Sequence, residues 1–370
     1  MTKIVHLTSV HPPFDIRIFH KECVSLASAG YEVVLIAPHD EDVHAQGVKV
    51  HAVPGARSKV ERVTRTIGHV LRAALKEDAD IYHFHDPELI PVGLLFKLLG
   101  KRVIYDVHEN APEDILTKEY IPFWGRSLVA GVMGKLERFA SEFFDGIVAA
   151  TPTIGSRFPP GRTSLICNYP VLQEWVCEDP RPYADRSPHV IYAGRISRDR
   201  GIAAMVQAIG ILPEPLQARL VLAGLFDSPT LKTQVQQIKG WERTDHLGWL
   251  SRDELRRMVF DARIGLVLLH PCLSYLRSYP IKLFEYMAAG IPVIASNFPL
   301  WRDIVEGAGC GLLVDPLDVQ DIADAIQWLL EHPEESLAMG LKGRDAVRSD
   351  YNWADEANKL CHLYRRLLGG

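Results

Sequence analysis

Two arginines five residues apart, Arg195 and Arg200, follow a short apolar run that ends at Gly194 in the stretch YAGRISRDRGI. A guanidinium is a planar fork that grips phosphate oxygens two at a time, so a pair beside a glycine turn suits a diphosphate. A second stretch, RSYPIKLFEYMAAGIPVIASN over residues 277–297, sets Pro280 at the head of a predicted helix and Glu285 about one turn in. Proline is tolerated in a first helical turn because its missing N–H had no partner there anyway. The free N–H groups of Ile281 and Lys282 then offer an anion or hydroxyl site, and Glu285 can accept hydrogen bonds from a vicinal diol such as ribose. Plainer readings exist for both stretches, since loop arginines and lone helix glutamates are mostly solvated. Together they suggest a site for the sugar end of a nucleotide.

The first half carries its own candidates. DVHEN, Asp106–Asn110, follows a predicted strand, which puts His108 and Glu109 where binding groups gather. A histidine there serves as a hydrogen-bond donor or a general base, or is simply a satisfied structural side chain. In YHFHDPE, His83 and His85 alternate onto one strand face, with Asp86 next. The pattern resembles H-x-H-x-D metal sites, but no second cluster of suitable spacing follows, although His108 and Glu109 could contribute; no metal is expected. Asp78-Ala79-Asp80 precedes its strand, at the wrong end of the sheet for a cleft metal. The loop VHPPFDIRIFHKE brings Phe14, Asp15, Arg17, His20 and Lys21 toward a polar substrate. It lacks G-x-G-x-x-G, so a hydride-transfer cofactor is not expected.

Both sets need a scaffold. Near-continuous apolar, β-branched runs recur in KIVHLTS, EVVLIAP, VKVHAVP, DIYHFH, RVIYDVH, GIVAAT and SLICNY, as in a parallel sheet buried on both faces. Helices are predicted over Phe19–Ala29, Val60–Lys76 and Leu89–Leu99, the first and third stopped by Gly30 and Gly100. Residues 170–188 are proline-rich and charged, and mark a domain boundary. The pattern restarts with HVIYAGR, RLVLAGL, DHLGWL, IGLVLLH, IPVIASN and CGLLVDP between helices over Ile202–Leu212, Leu231–Ile238 and Arg252–Ala262. The expectation is two doubly wound α/β domains facing across a cleft, residues 1–170 and 171–351, with a terminal helix over 352–370 that packs back on the first.

Composition narrows the class. The 370 residues carry a net charge of −5 and no basic tract, which disfavours nucleic acid. Six scattered cysteines without a C-x-x-C pair read as free thiols in a reducing compartment. Neither a signal peptide nor an apolar run long enough to span a bilayer is visible, so a cytoplasmic protein is expected.

With those residues in hand, a resemblance can be stated. Gly194-Arg195 with Arg200, HLGWLSRDEL, PIKLFEYMAAGIPVIASN and GAGCGLLVDPLD look like the retaining GT-B glycosyltransferases of family four. HFHDPELIPVG, VIYDVHEN and FDGIVAATP resemble the acceptor-side domain of that family, and NWADEANKLCHLYRRLL its terminal helix. The resemblance implies a sugar transferred from a nucleotide-sugar to a glycan or lipid-linked acceptor, with no metal or other cofactor. Arg195 and Arg200 would bind the diphosphate, Glu285 the ribose, and Ser278, Tyr279, Pro280 and Ile281 the sugar and phosphate through backbone N–H groups. Gly248 and Leu250 would lie near the base, and His108 beside the transferring sugar. Phe14, Asp15, Arg17, Asp86, Glu109 and Arg277 are candidates on the acceptor side.

Two departures from the family stand out. Arginine replaces the usual lysine at Arg200, and Arg277 stands where the first glutamate of an E-x7-E pair is usual, which leaves the donor sugar open and suggests an anionic group there. Arg252 near the predicted pocket, without a carboxylate, favours uridine over guanine. A nucleotide-sugar 2-epimerase of the same architecture and a non-catalytic nucleotide-sugar-binding protein are the rivals. PFWGRSLVAGVMGKLERFASEFF combines Phe123, Trp124, Arg126, Lys135 and Arg138 with an apolar stripe, as in helices that lie on a membrane surface.

Overall fold

The computed structural model describes residues 2–56, 58, 61–117, 121–177 and 181–369. The chain divides into two compact units, Met1–Asn168 with Trp353–Gly370, and Tyr169–Asn352. Of the boundary stretch 170–188, residues 178–180 lie outside the described residues.

The first unit is built on a sheet of β1 (Lys3–Leu7), β2 (Glu32–Pro38), β3 (Val43–Ala45), β4 (Val48–Val53), β5 (Ile81–Phe84), β6 (Arg102–Val107), β7 (Gly146–Ala149) and β8 (Thr163–Leu165). Their order is β3-β4-β2-β1-β5-β6-β7-β8. All neighbours are parallel except the β3–β4 hairpin at one edge. That hairpin was not foreseen. The parallel strands read as unbroken apolar runs because helices cover both sheet faces: Val5, Leu7, Val34, Tyr82 and Phe84 enter one buried cluster. On the other face His6, His83 and His85 are also buried, beneath the helix Ile16–Cys23.

That helix differs from the one expected over Phe19–Ala29. It starts three residues earlier, and its first turn combines i→i+4 with i→i+5 bonds, Phe19 N–H and His20 N–H both donating to Asp15 O at 3.0 and 3.2 Å. Regular α-helix takes over at Val24–Ser28. Such wide turns are frequent at functional sites because they re-aim side chains. The helix predicted over Val60–Lys76 covers Arg62–Thr66 and Ile67–Glu77, and Val60 lies outside the described residues. The terminal helix Trp353–Leu368 belongs to this unit: Trp353 Nε1 donates to Ser25 Oγ at 2.9 Å and Glu356 Oε2 accepts from Cys167 N at 2.7 Å.

The second unit holds β9 (His189–Ala193), β10 (Arg219–Ala223), β11 (Thr244–Gly248), β12 (Ile264–Val267), β13 (Val293–Ser296) and β14 (Gly311–Val314), in the order β11-β10-β9-β12-β13-β14. Every pairing is parallel. Leaving the edge hairpin aside, the strand order switches direction between β1 and β5 in the first unit and between β9 and β12 in the second. Open α/β sheets bind ligands beyond the carboxyl ends of the strands at such points. The fold class is therefore α/β with two doubly wound parallel-sheet domains.

Candidate functional site

In the second unit the site is built around glycine at the end of β9. Gly194 has φ +123°, and its N–H donates to Ala223 O at 2.8 Å. A Cβ added to Gly224, after β10, would meet Gly194 O at 1.8 Å, so these two turns fit together only without a side chain. Gly194 is exposed, and a Cβ on it would come 3.3 Å from Lys282 Nζ and 3.8 Å from Arg200 Nη1. Two cationic tips thus converge on bare backbone. Lys282 Nζ is buried without a hydrogen-bond partner, 3.8 Å from the centroid of the Tyr192 ring. Burial, and then Arg200, hold this ammonium well below the ordinary lysine range. An anion at Gly194 would relieve both effects. Arg195 is more exposed and pairs with Asp227.

Pro280 caps the helix Ile281–Ala289 from just outside, one position earlier than expected, and no side chain caps the helix N-terminus. The preceding turn is fixed by Trp301 Nε1, which donates to Ser278 O at 2.8 Å. Tyr279 is half-buried beside it, and Arg277 is exposed. Glu285 is buried, and its Oε1 accepts from Arg252 Nη1 at 2.6 Å. Arg252 also donates from Nε and Nη2 to Glu174 Oε2, at 3.0 and 2.7 Å. A carboxylate does therefore stand beside Arg252, and the ground for preferring uridine over guanine is withdrawn. Gly248, with φ +71°, ends β11; Trp249, 73% exposed, separates it from Leu250 and offers a ring face for a base.

In the first unit the loop after β1 and the turn after β5 meet. Asp86 is buried and accepts from Thr8 Oγ1 at 2.8 Å and Ser9 N at 2.6 Å. His11 lies between two carboxylates, Nε2 at 3.4 Å from Asp86 Oδ1 and Nδ1 at 3.7 Å from Asp15 Oδ2. Burial opposes its charge, but hydrogen bonding to Asp15 and Asp86 outweighs this and pushes its pKa up to about 10. His11 Nε2 is 3.1 Å from His108 Nε2. A protonated His11 donates there, leaving His108 Nδ1 to donate to Asp106 Oδ2 at 3.4 Å.

Asp106 is the hub beneath His108. Its carboxylate accepts from Arg17 Nε and Nη2 at 2.9 and 2.8 Å and pairs with His85 Nδ1 at 2.9 Å. Burial alone would raise its pKa, yet Arg17 and the histidines hold it well below the usual carboxylate range. Arg17 is itself buried and bonds also to Ile166 O at 3.2 Å. It lies under the surface as a support for Asp106, which differs from the acceptor-contact role expected for it. Asp15 caps its helix, accepting from Arg17 N at 2.8 Å and Ile18 N at 2.9 Å. Phe14 is exposed and stacks edge-on against Phe19, and Glu109 is exposed. His11 and the side chain of Lys282 are the site residues that motif reading passed over.

The His11 pairing has a pH signature. Its contribution is complete below the ordinary histidine value of 6.5 and is lost as pH rises through about 10. The stability difference between wild type and His11→Gln should shrink across that window in denaturant titrations. A difference that stays constant from pH 6 to about 10 would mean that His11 is not charged in the folded protein.

Comparisons with known proteins agree with this geometry. Residues 178–346 match the family described as "Glycosyl transferases group 1", and residues 18–159 match "Glycosyltransferase Family 4". The chain is 24% identical over 363 residues to an alpha-maltose-1-phosphate synthase of Mycolicibacterium smegmatis, covering 89% of this chain and 91% of that protein. It is 29% identical over 187 residues to a GDP-mannose-dependent alpha-(1-6)-phosphatidylinositol monomannoside mannosyltransferase of Mycobacterium tuberculosis, covering 48% of this chain and 47% of that one. A sucrose-phosphate synthase from Thermosynechococcus elongatus has the same fold, with a TM-score of 0.81, 22% identity and all of both chains covered. The fold is that of the GT-B glycosyltransferases, and the two family matches cover both units. The chain belongs to the group 1, family 4 glycosyltransferases.

Proposed function

We propose that the protein is a retaining, metal-independent transferase that moves a hexosyl or related group from a nucleoside-diphosphate sugar to a lipid-linked glycan acceptor, in cell-surface glycoconjugate synthesis. The observation that carries this reading is the convergence of Arg200 Nη1 and Lys282 Nζ on the bare backbone of Gly194. As the sugar–oxygen bond breaks, negative charge grows on the leaving diphosphate, and preorganised cations stabilise that charge without reorganising. The uncapped N-terminus at Ile281 adds partial positive charge. Glu285, held by Arg252, orients the ribose. Retention requires the acceptor hydroxyl to attack from the face the diphosphate leaves, whose oxygen takes the acceptor proton. The role of His108, its imidazole held through Nδ1 by Asp106, is to accept from a sugar hydroxyl at Nε2, the nitrogen that faces His11.

The test is turnover of UDP-, GDP-, ADP- and dTDP-sugars with a lipid-linked acceptor and chelator present, the product anomer being read by NMR. One donor class giving a product of unchanged anomeric configuration supports the reading. An inverted product, or a free epimerised sugar nucleotide formed without acceptor, contradicts it.

A membrane surface is proposed as the place where the acceptor is met. The helix Phe123–Ser141 exposes Phe123 (86%), Trp124 (84%), Leu128, Val132 and Phe139. Its one acidic residue, Glu137, is buried and accepts from Tyr105 OH at 2.8 Å, while Lys135 and Arg138 are exposed. The outward face is thus apolar and basic, which fits an anionic lipid surface. No helix among the described residues is long and apolar enough to cross a membrane. Co-sedimentation with vesicles containing anionic lipid is expected, and Trp124→Glu with Lys135→Glu should abolish it. Equal sedimentation of that variant, or none by the wild type, would dismiss the proposal.

A further inference from the structure

The buried face of the first sheet holds a second constellation. His6 of β1 stands in register with His83 of β5, His85 follows on the same face, and Glu22 reaches them from the covering helix. One ligand-type atom from each of the four lies within 4.8 Å of the others, and all four residues are buried. Neither Glu22 oxygen has a hydrogen bond. Its nearest cation is Arg17, with Nε 3.1 Å from Oε1, and that guanidinium is already bidentate on Asp106. A carboxylate buried without hydrogen bonds is costly and calls for a cation or a proton.

Further polar groups fix the imidazoles. His85 Nδ1 meets Asp106 Oδ2 at 2.9 Å, His6 Nε2 meets Tyr364 OH at 3.2 Å, and His83 Nδ1 meets Tyr364 OH at 2.8 Å with Glu22 Oε2 at 3.9 Å. Partners of this kind orient metal-ligating histidines.

We propose that His6, Glu22, His83 and His85 bind one divalent transition-metal ion of the zinc class. Three imidazoles and one carboxylate suit a tetrahedral ion with ligand bonds of about 2.0–2.1 Å, which sets neighbouring ligand atoms about 3.3 Å apart. His6 Nδ1 and His85 Nε2, now 2.9 Å apart, need only a small separation to reach it. Four protein ligands in a buried pocket make the site structural: the ion ties β1, β5 and the covering helix together and takes no part in sugar transfer.

The test uses the full chain, loaded with Zn²⁺ or Co²⁺ and then desalted. One ion retained per chain, an intense visible band from four-coordinate Co²⁺, and a raised unfolding midpoint are expected. Glu22→Gln and His83→Gln should each lose the ion, whereas His332→Gln, at a half-buried histidine of the second unit, should keep it. Metal content and the Co²⁺ band are read on the wild type, so a variant that fails to fold leaves the test intact. No retained metal and no band would overturn the proposal and leave a proton as the group that neutralises Glu22. Retention unchanged in folded Glu22→Gln and His83→Gln would overturn it as well.

Discussion

Replacing Arg200 with alanine should lower kcat by about 10²–10³-fold, the usual cost of removing one preorganised charge-stabilising group. The loss should fall mainly on kcat, because charge on the diphosphate grows as the sugar leaves and is greatest in the transition state. Arg200 Nη1 and Lys282 Nζ both point at the space above Gly194. Removing Arg200 leaves Lys282, whose ammonium burial disfavours, to face a dianionic leaving group. Arg200→Lys keeps the charge and loses the two-toothed grip, so an intermediate rate is expected. Initial rates at saturating acceptor check this. A loss below about tenfold, roughly 1.4 kcal/mol, would take Arg200 out of the reaction.

Asp106→Ala should destabilise the first unit by about 3–5 kcal/mol, as is usual when one partner of a buried ion pair is removed. The wild-type carboxylate neutralises Arg17 and orients both His85 and His108. Without it the buried guanidinium loses its bidentate partner and keeps only Glu22 Oε1, 3.1 Å from Nε, and Ile166 O. The double variant Arg17→Met, Asp106→Leu should regain much of the lost stability, since apolar residues can replace a buried pair at little cost. Urea titration followed by far-UV circular dichroism measures both. A shift under about 1 kcal/mol for Asp106→Ala would mean that water reaches Arg17 and that the hub is not dry.

Much of this fold was legible because parallel strands covered on both faces are apolar at most positions. Runs such as EVVLIAP and IPVIASN cannot be amphipathic helices, and they appear as β2 and β13. The hairpin strand β3 escaped because Val43–Ala45 is short, lies at an edge and has one exposed side chain, so it has no apolar run to show. The wide-turn helix escaped because i→i+5 winding leaves no mark on residue type; it follows from packing Arg17 and Glu22 into the sheet.

The candidate site was legible where motif and strand end coincide, as at Gly194, Arg200 and Glu285. It was not legible where distant segments meet. His11 reaches His108 across 97 residues, and Glu174 reaches Arg252 across 78. Glu22 stands more than sixty residues from His83, so spacing along the chain does not bring the two together. Arg17 illustrates the converse error: a charged residue in a polar loop looks solvent-facing until its buried partner is known.

The central claim is that the glycine turn after β9, with Arg200 and Lys282, holds a nucleoside diphosphate. Thermal unfolding of wild type and Arg200→Ala with UDP, GDP, ADP and dTDP in chelator tests it most directly. One diphosphate should raise the wild-type midpoint in a concentration-dependent way while its monophosphate does much less, and the variant should lose that gain. If no diphosphate stabilises the wild type, or if Arg200→Ala is stabilised equally, the donor does not bind at Gly194 and the transfer mechanism built on it fails.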